Sequence, residues 1–137
     1  ASIIVPLWQE RRDRNSSVRD RKIEIYEEIS KHLNKYISAW RRLILISKLE
    51  SDRNLTDTEL NRKIGYVNQR DESRDLVFSD FARAKLYFSD ETTELINKYV
   101  SSDNNNLTKT IDELPNFSEW EVWENEIVSS LASELSR

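Results

Sequence analysis

The sequence predicts an all-α fold: a compact antiparallel bundle of about four helices, the first two long and forming a hairpin. Three observations carry this reading. The 137 residues include one glycine, Gly65, and two prolines, Pro6 and Pro115. β-rich folds need many tight turns, and tight turns need residues that tolerate positive φ. Apolar residues recur at alternating spacings of three and four along four stretches, the signature of helices with one buried face. Charged residues make up 34% of the chain against 37% apolar, as expected where long helices carry wide solvated faces. The length suits one domain with one sizeable core.

The first predicted helix runs from about Val18 to Glu50. Tyr26, Ile29, Leu33, Tyr36, Trp40 and Leu43 fall on one face, and Ile23, Ile37 and Ile44 form a second stripe beside it. So broad an apolar surface requires more than one neighbouring helix. Residues 51–55 are a short polar connection. Thr56-Asp57-Thr58-Glu59 is a capping box and opens the second helix, expected over residues 57–88. Leu60, Ile64 and Val67 supply its first apolar stripe; Val77, Phe81, Ala84 and Phe88 supply its last. The eight polar residues Asn68 to Asp75 between them read as the solvated middle of one continuous helix.

Ser89 is a suitable N-cap, with Asp90 and Glu91 in the first turn complementing the helix dipole. The third helix carries Leu95, Ile96, Tyr99 and Val100 and is expected to end near Ser101, with residues 101–106 a loop by composition. Leu107, Ile111 and Leu114 predict a short helical turn before Pro115. A second capping box, Ser118 to Glu121, is expected to open the last helix, with Trp120, Trp123, Ile127, Leu131 and Leu135 on its apolar face.

Composition excludes several kinds of chemistry. Without cysteine there is no disulfide, thiolate metal site or cysteine nucleophile. One glycine cannot write a phosphate-binding loop or a dinucleotide fingerprint. A Ser-His-Asp triad has only His32 to draw on, in mid-helix with no nucleophile motif near it. His32 and Glu28 lie one turn apart, but di-metal carboxylate sites in bundles use Glu-x-x-His twice. The sequence therefore predicts a surface or helix-boundary histidine, no catalytic residue, no metal, no cofactor and no small-molecule substrate. Sequons at Asn15, Asn54, Asn106 and Asn116 are near what chance gives in a chain rich in Asn, Ser and Thr.

The N-terminus carries the most specific local signal. Residues 1–8 are apolar and end in Trp8; Arg11, Arg12, Arg14, Arg19, Arg21 and Lys22 follow. That order occurs where a membrane helix leaves the bilayer on its cytoplasmic side. The chain starts at Ala1 and has no methionine, which suggests a processing boundary. Residues 1–17 are thus read as the stub of an anchor with its basic flank, and residues 18–137 as the bundle. The basic cluster predicts attraction to an anionic membrane surface; phosphate contact with nucleic acid is the alternative, disfavoured by a net charge of −4. Trp120 and Trp123, near a helix start, are candidate contacts for a protein partner.

Arg21-Lys22-Ile23-Glu24-Ile25-Tyr26-Glu27-Glu28, Ala84-Lys85-Leu86-Tyr87-Phe88-Ser89-Asp90-Glu91 and the Trp120–Leu135 helix together resemble a loose class of uncharacterised bacterial proteins with an N-terminal anchor and a cytoplasmic helical bundle. The resemblance implies topology and anchoring and brings no activity. The resulting expectation is a non-enzymatic interaction module. It would sit on the cytoplasmic side of the inner membrane if an anchor precedes residue 1, and in the cytoplasm otherwise, binding a protein partner or its own copies. The alternative is a soluble regulatory or nucleic-acid-binding helical protein.

Overall fold

The computed structural model describes residues 7–135, with side chains from residue 16 onward. Residues 1–6 of the expected anchor stub, and the side chains of residues 7–15, lie outside the described residues. Four α-helices are described: α1 (Leu7–Asp52), α2 (Asp57–Tyr87), α3 (Asp90–Asn106) and α4 (Phe117–Ser133), with a 3-10 turn at Ile111–Glu113 before the last. Backbone neighbours follow the ring α1–α2, α2–α3, α3–α4 and α4–α1, so α1 faces α3 across a diagonal. Side-chain partners fix the directions. Tyr36 meets Asp103 and Trp40 meets Trp120, while Ser89 meets Glu134. The helices therefore run up, down, up, down, the antiparallel bundle that the spacing predicts.

The core is built where the stripes converge. Ile25, Ile29, Leu33, Tyr36 and Trp40 from α1 are buried with Val77, Phe81 and Ala84 from α2, Ile96 and Tyr99 from α3, and Trp120, Ile127 and Leu131 from α4. Aromatic edges lock the interior: Trp40 against Trp120 at 5.2 Å and Phe81 against Tyr99 at 5.7 Å, both T-shaped. The capping box at α2 forms as expected. Thr56 accepts from the Glu59 amide at 3.2 Å, and Glu59 reaches back to the Thr56 amide at 3.0 Å. Ser89 caps α3 through the Thr92 amide.

Several boundaries differ from the sequence expectation, each for a physical reason. Helix α1 starts at Leu7 rather than near Val18, so the expected division at residue 17 falls inside one helix. The 68–75 stretch is helical, as expected, but it is more than a solvated span. The Arg70 guanidinium lies 4.8 Å from the Trp40 ring and that of Arg74 lies 4.1 Å from the Phe78 ring, so the arginine heads stack on aromatic faces at the margin of the core. Residues 101–106 are helix, not loop, because tertiary bonds override loop-like composition: Asp103 and Asn106 are buried. The Ser118–Glu121 capping box does not form. Pro115 holds Leu114 extended, Asn116 becomes the N-cap residue, and Phe117 enters the helix to pack on Trp120.

Helix lengths explain the largest difference. Helices α3 and α4 have 17 residues each, against 46 and 31 in α1 and α2. The tip of the α1–α2 hairpin therefore rises beyond the other two helices. Leu60 and Ile64, expected in the core, are 41% and 60% exposed, and Leu45 is 62% exposed.

Candidate functional site

Three groups of polar side chains sit between the helices. The first joins α1 to α2. His32 is buried, which overturns the expected surface position. Its Nδ1 lies 2.6 Å from Oδ2 of Asp80, and its Nε2 lies 3.4 Å from Oε2 of Glu28. The other oxygen of Asp80 accepts from Arg83 at 2.8 Å, and Arg83 also approaches Glu24 at 3.8 Å. Helical geometry stacks Glu24, Glu28 and His32 on consecutive turns of α1, and hairpin pairing sets Asp80 and Arg83 opposite them. Sequence reasoning weighed Glu28 with His32 but missed Asp80, 48 positions downstream. The available signal is an aspartate directly before Phe81 and one turn before Ala84, within the apolar stripe of α2.

The second group crosses the bundle diagonal. The Tyr36 hydroxyl donates to Oδ1 of Asp103, and Arg74 Nε donates to Oδ2 of the same carboxylate at 2.7 Å. Burial pushes the Tyr36 phenol well above its ordinary range, and the adjacent Asp103 charge pushes it further. Burial also raises Tyr99. For Arg74, burial pulls the guanidinium down, but Asp103 more than offsets it and the net shift is upward.

The third group ties α4 to the start of α3. Glu134 accepts from the Ser89 amide at 2.8 Å, from the Ser89 hydroxyl at 2.9 Å and from Thr92. Burial pushes its carboxyl up, yet the bonds from Thr92 and Ser89 outweigh burial and hold it below the usual glutamate range. A carboxylate at a helix N-terminus also meets the positive end of the dipole.

The sequence-nominated residues fall in different places. Arg11, Arg12 and Arg14 lie in α1, with side chains outside the described residues. Arg19 and Arg21 are exposed, as is every residue from Ser16 to Arg21. Arg21 pairs loosely with Glu24 at 3.7 Å, and Lys22 is half-buried with its ammonium 5.6 Å from the Phe88 ring. Trp120 is 4% exposed, a core residue as its place on the apolar face predicts, with no free surface for the candidate partner contact. Trp123 is half-buried edge-on to Tyr99. Asn106, one of the sequon positions, is buried.

A surface that the sequence does not nominate lies between the later turns of α1 and the segment from the 3-10 turn to the start of α4. Ile44 and Leu45 of α1, Ile111 and Leu114 around the 3-10 turn, Pro115 and Phe117 line an open groove of about 400 Å³, with Arg41 and Lys48 on its rim. No described helix is long and apolar enough to cross a membrane. No model of a known protein family matches the chain, and no curated protein or solved structure matches it.

Proposed function

We propose that this chain is a non-enzymatic helical interaction module held at the cytoplasmic face of a bacterial membrane, engaging a protein partner or another copy through the groove between α1 and residues 111–117. The observation that carries this reading is the polarity of α1. At one end the exposed basic turns around Arg19 and Arg21 extend past Phe88, where α2 has ended. At the other, Leu45 stands in an open groove whose lining mixes apolar side chains with Arg41, Lys48, Asp112 and Asn116. Between Arg21 and Leu45 a straight helix covers about 36 Å. A basic end suits anionic headgroups, each basic residue contributing about 1 kcal/mol near the surface. An exposed groove of mixed apolar and polar lining suits a protein. The three interior polar groups pair mainly with one another across helix interfaces, which accounts for them without a reaction.

Cosedimentation of the purified chain with vesicles tests the basic end. Binding to phosphatidylserine vesicles, absent with phosphatidylcholine and weakened by the double charge reversal Arg19→Glu and Arg21→Glu, is expected. Equal binding to both vesicle types, or none at low salt, removes the membrane reading. Expression of the full-length gene and cell fractionation tests the tether, and a freely soluble product ends it. A salt-dependent gel shift of nucleic acid without vesicle binding would favour the alternative use of the same arginines.

A further inference from the structure

We propose that His32 and Glu28 form a binding site for a divalent first-row transition ion, with Asp80 as the positioning residue that orients the imidazole. The two sides of the ring differ. Toward α2, Nδ1 lies 2.6 Å from Asp80 Oδ2, a short charge-assisted bond in which the ring N–H donates to the carboxylate. Asp80 is itself fixed, 3% exposed and held by Arg83 at 2.8 Å. With the proton on Nδ1, the Nε2 lone pair faces Glu28. That separation, 3.4 Å, is longer than the roughly 2.7–3.2 Å of an N–H···O hydrogen bond. A zinc ion with bonds of about 2.0–2.2 Å at a near-tetrahedral angle sets its nitrogen and oxygen ligands about 3.3–3.5 Å apart. The gap matches the edge of a coordination polyhedron. Carboxylate, histidine and metal in that order is the arrangement that fixes tautomer and ring orientation in metal sites.

Charge and access agree with the distances. Arg83 spans Asp80 and Glu24, and Arg21 reaches Glu24. Among the described residues, Glu28 faces His32. A cation held between Nε2 and the Glu28 carboxylate would meet that carboxylate's negative charge directly. The Glu28 side chain is 39% exposed, so water can complete the shell. Imidazole nitrogen with carboxylate and water oxygens suits zinc, nickel or copper, whereas calcium and magnesium take oxygen ligands. A one-turn His/Glu pair needs no second histidine for a mononuclear site, unlike the di-metal pattern that the sequence fails to write.

The chain contains one histidine and no cysteine, so imidazole coordination of any ion reports on His32 alone. The test is a zinc titration of the chelator-treated chain, read by calorimetry and by the imidazole 15N resonances. One ion per chain is expected, with Nε2 shifted and the Nδ1 proton retained. Glu28→Gln, at a half-exposed position, is expected to keep the metal-free melting temperature and weaken zinc binding at least about tenfold. Asp80→Asn is expected to weaken it about 10–100-fold and to free the tautomer, a readout that simple destabilisation does not produce. An Nε2 resonance unmoved at saturating zinc overturns the proposal. So does zinc affinity unchanged by Glu28→Gln, or magnesium binding as tight as zinc.

Discussion

Removing one hydroxyl, in Tyr36→Phe, tests whether the bundle diagonal is held by a polar bond as well as by packing. Tyr36 is fully buried and donates to Asp103, which is 4% exposed. Asp103 keeps Arg74 at 2.7 Å after the substitution, so no charge is orphaned and the loss stays below the 3–5 kcal/mol of a broken buried ion pair. A hydrogen bond to a charged acceptor contributes about 1.5–3 kcal/mol. At about 2.1 cal/mol/K per residue, a chain of this length unfolds with an entropy near 0.29 kcal/mol/K, so the melting temperature should fall by about 5–10 °C. Thermal denaturation followed by circular dichroism measures this. The alkaline limb supplies a second readout. The folded phenol lies above its ordinary value, so its contribution is complete below about pH 10 and is lost as pH rises beyond. Tyr36→Phe should therefore flatten the alkaline loss of stability, leaving the share due to Tyr99. A melting shift under about 2 °C with an unchanged alkaline slope would refute the diagonal bond as a stabilising element.

Two further outcomes follow from the helix ends. Glu134→Gln should cost about 1–3 kcal/mol at neutral pH, since a charged acceptor of three donors becomes a neutral one. Because the folded carboxyl lies below its unfolded value, that contribution is present above about pH 4.3 and disappears on acidification; urea melts at several pH values should show variant and parent converging in acid. Thr56→Ala removes the cap of α2 and should cost about 1 kcal/mol, read as a shift in urea midpoint at unchanged slope.

Periodicity made the four helices and most of the core legible, because burial imposes one spacing along each stretch. The Thr56 box was equally legible, since both of its bonds are local. What failed depended on residues distant in sequence. The run from Ser101 to Asn106 reads as loop until Asp103 meets Tyr36 and Arg74, which come from other helices. Ser118–Glu121 has the letters of a cap, yet Pro115 and the packing of Phe117 start the helix earlier. Trp120 lies on the apolar stripe and is buried as that stripe predicts; its place near a helix start also suggests a partner contact, but Trp40 and Phe117 enclose it. His32 was set outside the core because its partner Asp80 lies on the opposite arm of the hairpin.

The exposed ends of the bundle have separate causes in the same helix. At the tip, apolar residues at helical spacing continue through Leu60 and Ile64, but α3 and α4 are too short to cover them, so exposure comes from missing neighbours. At the other end the sequence itself changes. The three–four register that carries Leu33, Ile29 and Ile25 continues upstream through Lys22, Val18, Arg14 and Arg11, so a helix that persists to Leu7 no longer has an apolar stripe to bury. Lys22 marks the change, with its stem half-buried and its ammonium beside Phe88. Replacing Lys22 with leucine should extend the core by one turn without altering Arg19 or Arg21. If thermal stability rises while anionic-vesicle binding weakens by no more than the roughly 1 kcal/mol of the one charge removed, packing and surface contact are separable along α1. If binding disappears with the gain in stability, the basic turns act only as part of the bundle, and the division of α1 into a packed part and a contacting part is wrong.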